Sequence, residues 1–287
     1  MDAFKFVVRG ARGGRPAFSP DCLRYGLHTT CYSLETREGL IVFDAGTGIL
    51  NLNRKCAGWP TEKPIAVVFT HFHLDHIAGL AGFEPLLREG MDIRLYGMSP
   101  VAGPSWKDIL TDFIGEPYWP VSLASMPANI SYHDLDPVNR SQDVLGTQIS
   151  WCPLVHPQRC MAYKLHLSEG TIVFATDHEP QADTGAEFKA FCEETDVLIL
   201  DAQYTPEQYL SRRGWGHGTW EDAAYLAREV RAKRLILTHH DPEHVDRDID
   251  DILEKARAIF PDTDAAAERM VIGFSNSVAH RETALRP

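Results

Sequence analysis

The chain has 287 residues, a formal net charge of −12 at pH 7, 44% hydrophobic and 24% charged residues. That balance is ordinary for a globular protein with a buried core, and the length suits one α/β domain built on two sheets. No apolar run approaches the ~20 residues of a membrane span, residues 1–5 lack the charged-then-apolar pattern of a secretory signal, and the acidic balance argues against a broad nucleic-acid surface, which needs Lys and Arg to neutralise phosphates.

In chain order, residues 4–8 read as an opening strand, and a Gly-rich loop over 10–16 follows. That loop is either a solvated turn or the mouth of a site where Arg12 or Arg15 meets an anion. Residues 18–30 are polar and irregular. Residues 31–35 and 40–43 form a hairpin pair, and Asp44 sits before a Gly-containing turn. The run 65–69 is short, β-branched and bounded by Pro64, so it reads as a buried strand. It ends in Thr70, His71, Phe72, His73, Leu74, Asp75 and His76. Histidine and aspartate cost free energy when buried unpaired, whereas imidazole and carboxylate together suit zinc or a similar divalent ion. His71 and His73 stand two apart, so an extended backbone points both the same way. Asp75 and His76 lie past the turn and reach a second position, so one segment can serve two adjacent metals. The bland alternative is a polar loop with incidental histidines; four potential ligands in six residues weigh against it.

Past this motif, Ile77, Leu80 and Ala81 predict a helix to about residue 84, and 93–96 a further strand. Pro and Gly crowd 97–130, which leaves room for a short helix near 105–113. Phe113, Tyr118 and Trp119 in this segment read as packing, with a lid or a dimer contact as the alternative. Residues 131–175 alternate strand-like runs with turns, and His133 and His166 read as face-exposed strand positions. A helix over 184–192 and a buried strand over 197–200 ending in Asp201 come next. Gly216 and Gly218 flank His217 just before Thr219 and Asp222, whose spacing resembles a capping box. Trp220, Ala223, Ala224, Ala227 and Val230 then share one helix face. Residues 235–238 lead into His239, with His240 and His244 beyond. A last helix carries Val245, Ile249, Ile252, Leu253, Ala256 and Ile259 on one face; 269–274 is a final strand and 279–287 a tail. No linker or low-complexity segment divides the chain, so one domain is expected over 1–287.

His-x-His-x-Asp-His after an apolar strand, His71 to His76 here, resembles the signature of the metallo-β-lactamase superfamily. The resemblance implies an αββα sandwich with a dinuclear metal site along one edge. It implies three further ligands, for which the chain offers His156, Asp177 and His239 in the expected order, the last two at strand ends. His239 is preferred to His240 and His244 because it follows Thr238 as His71 follows Thr70, a weak hint of an internal repeat. One metal would rest on His71, His73 and His156, another on Asp75, His76 and His239, with Asp177 bridging. The implied cofactors are two divalent metal ions, zinc first, with manganese or iron as alternatives. Asp44 is implied to support the metal loop by hydrogen bonds rather than to bind metal. Gly216, His217, Gly218 and Thr219 resemble the Gly-His-Ser-Thr-like segment of ribonuclease Z-like enzymes, whose histidine donates a proton or stabilises charge. His217 and Asp75 are therefore the catalytic candidates. Residues 18–30 resemble a loop near the site in ribonuclease Z-like and phosphodiesterase members. His28 and Arg24 join Arg12, Arg15 and Asp201 as candidate supporting or substrate-contacting residues.

The motif does not choose the substrate. The segment around His217, an aspartate rather than a thiol at the bridging position, and the N-terminal Gly/Arg loop all resemble the phosphodiesterase branch, especially cyclic-phosphate phosphodiesterases. A small anionic phosphodiester, such as a cyclic nucleotide or cyclic sugar phosphate, is the expected substrate. A transfer-RNA-maturing nuclease would imply a long arm between the third histidine and the bridging aspartate. Only twenty residues separate His156 from Asp177. A lactonase or thioesterase of the same fold is the main alternative, ahead of a β-lactamase or a non-catalytic metal-binding protein. Six dispersed cysteines read as reduced thiols of a cytoplasmic protein. No membrane partner is expected, and a homodimer is left open.

Overall fold

The computed structural model describes residues 5–180 and 185–274. Two mixed sheets pack face to face. The first half of the chain supplies β1 (Lys5–Gly10), β2 (Cys31–Glu35), β3 (Leu40–Phe43), β4 (Ile65–Val68), β5 (Asp92–Gly97) and β6 (Asn129–Asp134), adjacent in that order. The second half supplies β7 (Ser141–Val144), β8 (Thr147–Leu154), β9 (Cys160–Leu167), β10 (Gly170–Ala175), β11 (Val197–Asp201), β12 (Arg234–Thr238) and β13 (Thr263–Ala265), again adjacent in order. A short β14 (Val271–Ile272) returns to pair with β1. Each sheet is antiparallel on one side and parallel on the other, the change falling at β3 and at β10.

The central strands β3 and β4 are apolar at every position because both faces of the sheet are covered there. Ile41, Phe43, Ala66 and Val68 point into the layer between the sheets, where they meet Trp151, Tyr163, Ile172, Phe174 and Ile199. Their neighbours Leu40, Val42, Ile65 and Val67 point outward onto a second cluster with Trp106 and Leu110. Among the helices, α1 (Asn53–Cys56), α2 (Leu74–Ile77) and α3 (Trp106–Phe113) belong to the first half, and α4 (Gly185–Cys192), α5 (Pro206–Tyr209), α6 (Trp220–Glu229) and α7 (Asp246–Ile259) to the second. Phe188, Ala224, Ala227, Ile252 and Ala256 carry α4, α6 and α7 onto the outer face of the second sheet. The result is the expected four-layer αββα sandwich.

Three expectations need correction. The helix expected from residue 77 to 84 is broken into α2 and two 3-10 turns, Leu80–Gly82 and Glu84–Leu87. Gly79 and Gly82, poor helix formers, bound the first turn, and Pro85 lies within the second. Of the aromatics read as packing, Phe113 packs against the outer cluster, but Tyr118 and Trp119 are 76% and 37% exposed. The internal repeat does not pair Thr70-His71 with Thr238-His239. Matching the sheets strand for strand sets β3 against β10. The corresponding residues are Asp44 and Asp177, just past those strands, both left-handed with φ of 59° and 57°. The tail over 279–287 lies outside the described residues. No described helix is long and apolar enough to cross a membrane.

A candidate metal centre at the sheet edge

The C-terminal ends of β3, β4, β10, β11 and β12 converge on one edge of the sandwich, where open α/β sheets place their ligands. Bonds between the sheets fix this edge. Tyr163 Oη donates to the carbonyl of Phe69 at 2.5 Å, Met161 N–H to that of Thr70 at 3.1 Å, and Tyr32 Oη lies 2.5 Å from Thr238 Oγ1.

His71 and His73 leave β4 on extended backbone. His73 caps α2, whose first residues carry Asp75 and His76 back to the edge. His156 follows β8, Asp177 follows β10 and His239 follows β12. Donor atoms of His71, His73 and His156 lie within 4.8 Å of one another, and so do those of Asp75, His76, Asp177 and His239. The Asp177 carboxylate spans both groups. Its Oδ1 is 3.7 Å from His71 Nε2 and 3.8 Å from His156 Nε2. Its Oδ2 is 3.2 Å from His76 Nε2 and 3.3 Å from His239 Nε2. Asp75 Oδ2 completes the second group, 3.3 Å from His76 Nε2 and 3.2 Å from His239 Nε2.

The donor set fits metal ions. His71 Nε2 and His76 Nε2 are buried without a hydrogen-bond partner, and His156 Nε2 faces His73 Nδ1 at 3.0 Å. Lone pairs so placed call for a cation between them. The other nitrogen of each ring is held from behind, which fixes tautomer and orientation. His76 Nδ1 meets Asp44 Oδ2 at 2.8 Å, and His156 Nδ1 meets the Gly216 carbonyl at 2.8 Å. His239 Nδ1 meets Gln203 Oε1 at 2.9 Å, His73 Nε2 meets Gln158 Oε1 at 2.9 Å, and His71 Nδ1 lies 3.1 Å from Thr70 Oγ1. Two glycines make room. A Cβ at Gly13 would stand 2.3 Å from His239 Nδ1, and one at Gly216 2.2 Å from His156 Nδ1.

The electrostatics differ between the two groups. Burial, with the charge of His76, holds His71 well below its ordinary value, and burial pushes His156 down to about 4, so both present lone pairs. On the Asp75 side burial opposes protonation, but Asp177, Asp75 and Asp44 outweigh it and lift His76 well above its ordinary value. His239 is likewise lifted to about 9, mainly by Asp177 and its bond to Asp75, against the effect of burial. Burial would raise Asp177, yet His239, His76 and His71 hold it well below the carboxylate range. The carboxylates around His76 and His239 thus favour positive charge at this point of the edge.

His217 adjoins the cluster. Its Nδ1 lies 2.9 Å from Asp201 Oδ2 and 3.8 Å from Asp177 Oδ1, and its ring stacks on His239 with centroids 5.0 Å apart. Asp201 also accepts from the N–H of His178 and of Gln203, so its carboxylate is fixed. The expected capping box at Thr219 and Asp222 is present and anchors the segment to α6. Glu179 ties down the other side by accepting from the N–H of Gly214 and Gly216 and from Tyr209 Oη.

The remaining nominated residues stand apart from the cluster. Arg12 is not a substrate contact. It is 1% exposed, and its guanidinium donates to the carbonyls of Gly26, Asp241 and His244, binding the N-terminal loop to the chain after β12. The backbone of its loop does reach the site, because Gly14 N–H donates to Asp75 Oδ2 at 2.7 Å. Arg15 pairs with Glu243 and Arg24 with Asp250 on α7, both on the exterior. His28 Nδ1 lies 3.3 Å from Thr47 Oγ1 and joins no metal-binding group among the described residues. Gln158, Glu179 and Gln203 carry no motif, and only their place on the loops beside the ligands marks them.

A domain profile described as the β-lactamase superfamily domain matches residues 40–240. The chain is 26% identical over 260 residues to the probable metallo-hydrolase YhfI of Bacillus subtilis, covering 89% of this chain and 93% of that protein. The solved YhfI structure superposes with a TM-score of 0.72 at 21% identity, covering 95% of this chain and 99% of that one. Ribonuclease BN of Cronobacter sakazakii is 25% identical over 287 residues, covering 82% of this chain and 90% of that protein. A diphosphatase of the PhnP family superposes with a TM-score of 0.69 at 17% identity, covering 95% and 98% of the two chains.

Proposed function

The chain belongs to the β-lactamase superfamily, and from that premise we propose that it is a hydrolase that holds two divalent ions and cleaves a small phosphodiester, such as a cyclic nucleotide or cyclic sugar phosphate. The observation that carries the reading is His217, backed by Asp201 at 2.9 Å and standing beside the bridging carboxylate of Asp177. His71, His73 and His156 would hold one ion and Asp75, His76 and His239 the other, with Asp177 placed between the two groups. Imidazole and carboxylate donors favour zinc, with manganese or iron compatible. The chemistry that such a pair supplies when bound is a nucleophile from water at neutral pH and neutralisation of the phosphate charge.

The chain's own residues do the rest. Asp201 holds the His217 ring by Nδ1, which leaves Nε2 as the nitrogen for substrate. His217 supplies the proton that a departing alkoxide needs. Gln203, Gln158, Asp44 and the Gly216 carbonyl keep the ligand rings in place. The relatives named ribonuclease and diphosphatase act at phosphorus, as this reading requires. Residues 157–176 form β9 and β10 and carry no protruding arm, and the net charge of −12 disfavours a long polynucleotide. The test is turnover of bis-(p-nitrophenyl) phosphate, cyclic mononucleotides, an acyl-homoserine lactone and a thioester, with zinc and with manganese. Phosphodiester turnover is expected. Preference for lactone or thioester, with no phosphodiester cleaved under either metal, overturns the assignment.

A further inference from the structure

Asp177, His178 and Glu179, consecutive past the end of β10, each serve the candidate metal centre. Asp177 lies between the two groups of donors, and the N–H of His178 donates to Asp201 Oδ2 at 3.2 Å, behind His217. Glu179 is buried, and its own N–H donates to the carbonyl of Val155, the residue before His156, at 2.9 Å. Its carboxylate takes neutral donors from the loop that leads to His217. Oε1 accepts from Tyr209 Oη and from Gly214 N–H, each at 2.8 Å. Oε2 accepts from Gly216 N–H at 2.8 Å and from Gly214 N–H at 3.0 Å. Gly214 and Gly216 are left-handed, with φ of 84° and 91°, and their N–H groups converge on this one anion. Gly216 is held from the other side as well, because its carbonyl meets His156 Nδ1 at 2.8 Å. The next residue is His217. Beyond it the Gly218 carbonyl accepts from Tyr204 N–H at 3.2 Å, so the chain is pinned on both sides of that histidine.

We propose that Glu179 is a positioning residue that acts through Gly216: it fixes the carbonyl that orients His156 and, with it, the place of His217 beside Asp177. The role is one of reach and hydrogen bonds rather than of charge. It rests on the proposed roles of His156 as a metal ligand and His217 as a proton donor. Three substitutions separate reach from charge. Glu179→Ala leaves the N–H groups of Gly214 and Gly216 without their acceptor. Glu179→Asp keeps the charge but withdraws the carboxylate by one methylene. Glu179→Gln keeps the reach: its amide oxygen can serve both glycines, and the Tyr209 hydroxyl can rotate to accept from the new NH2. The first readout needs no turnover. In full-length protein, competition for zinc with a chromophoric chelator should show Glu179→Ala and Glu179→Asp weakened ~10–100-fold at the ion proposed on His71, His73 and His156, the usual cost of losing outer support. Glu179→Gln should stay within about threefold of the wild type, since the acceptor is kept. The second readout is kcat on phosphodiesters. In Glu179→Ala and Glu179→Asp it should fall more for an unactivated alkoxide leaving group than for p-nitrophenolate, which departs without a proton. Unchanged affinities in a folded Glu179→Ala, or a Glu179→Gln as weak as Glu179→Ala, overturn the proposal. Circular dichroism establishes folding; if Glu179→Ala does not fold, the contrast between Glu179→Asp and Glu179→Gln decides in the same way. A wild type that binds zinc but cleaves no phosphodiester would sink the proposed substrate class instead and leave the affinity comparison standing.

Discussion

Asp44 binds no proposed ion, yet replacing it should weaken one of the two. The side chain is fully buried. Its Oδ1 accepts Thr70 N–H at 2.7 Å; its Oδ2 accepts Thr70 Oγ1–H and His76 Nδ1–H, each at 2.8 Å. In Asp44→Asn the amide oxygen can keep the Thr70 N–H bond, and the Thr70 hydroxyl can rotate to accept from the new NH2. The imidazole has no such freedom. Facing a donor, His76 Nδ1 must become an acceptor, and its proton moves to Nε2. That atom lies 3.3 Å from Asp75 Oδ2 and 3.2 Å from Asp177 Oδ2, where the ion is proposed to bind. Loss of such an outer partner typically costs ~10–100-fold in metal affinity, or about 1.4–2.7 kcal/mol. The effect should be larger on this side, because Asp44 meets His76 directly and His71 only through Thr70 Oγ1. Competition for zinc with a chromophoric chelator resolves two affinities; one should fall and the other change less. Nitrogen NMR of His76 should report the exchanged tautomer. Two unchanged affinities with Nε2 still unprotonated would refute the argument, and equal loss at both would point to collapse of the loop.

Asp177→Ala removes the carboxylate that faces both groups, so metal content by atomic emission should fall from about two per chain to one or fewer, with hydrolysis lost; a variant holding both ions would remove the bridge. His217→Ala should keep the ions and the fold while kcat drops ~10²–10⁴-fold, and Asp201→Asn should show a smaller drop in kcat with little change in KM. Equal kcat on activated and unactivated leaving groups would return His217 to the role of a loop residue. Arg12→Ala strands the carbonyls of Gly26, Asp241 and His244 without their donor. A stability loss of about 1–3 kcal/mol or more is expected in chemical denaturation, with KM of the folded fraction unchanged; a raised KM at full stability would restore Arg12 as a substrate contact.

The sandwich was legible in the sequence because strands covered on both faces must be apolar throughout, and 40–43, 65–69, 172–175 and 197–200 are. The residues gathered at the edge were legible because histidine and aspartate at the ends of such strands have no packing purpose. What stayed hidden has no periodicity. Gln158 and Gln203 are ordinary polar residues until the fold sets them against His73 and His239. Arg12 looked like a cation on a flexible loop, and nothing local says that the chain after β12 closes over it. Tyr118 and Trp119 illustrate the reverse error, since apolar bulk was taken for burial.

Asp44, Asp177 and His239 have φ of 59°, 57° and 58°, a region costly for any residue with a side chain. Each follows the end of a strand in the parallel half of its sheet. A left-handed residue there turns the chain sharply, so it holds a short polar side chain at the edge instead of letting it run on into solvent. Such strain costs of order 1–3 kcal/mol per residue and persists only where the surroundings over-determine it. Here they do. Asp44 N–H donates to the Val68 carbonyl at 3.0 Å while its carboxylate holds Thr70 and His76. Asp177 sits among imidazoles, and His239 is fixed between Gln203 and Asp75. The two sheets are tied at this same edge through Tyr163 and Tyr32. The cluster's geometry is thus framed by backbone turns and by Asp44, Gln203, Tyr163 and Tyr32 behind the ligands.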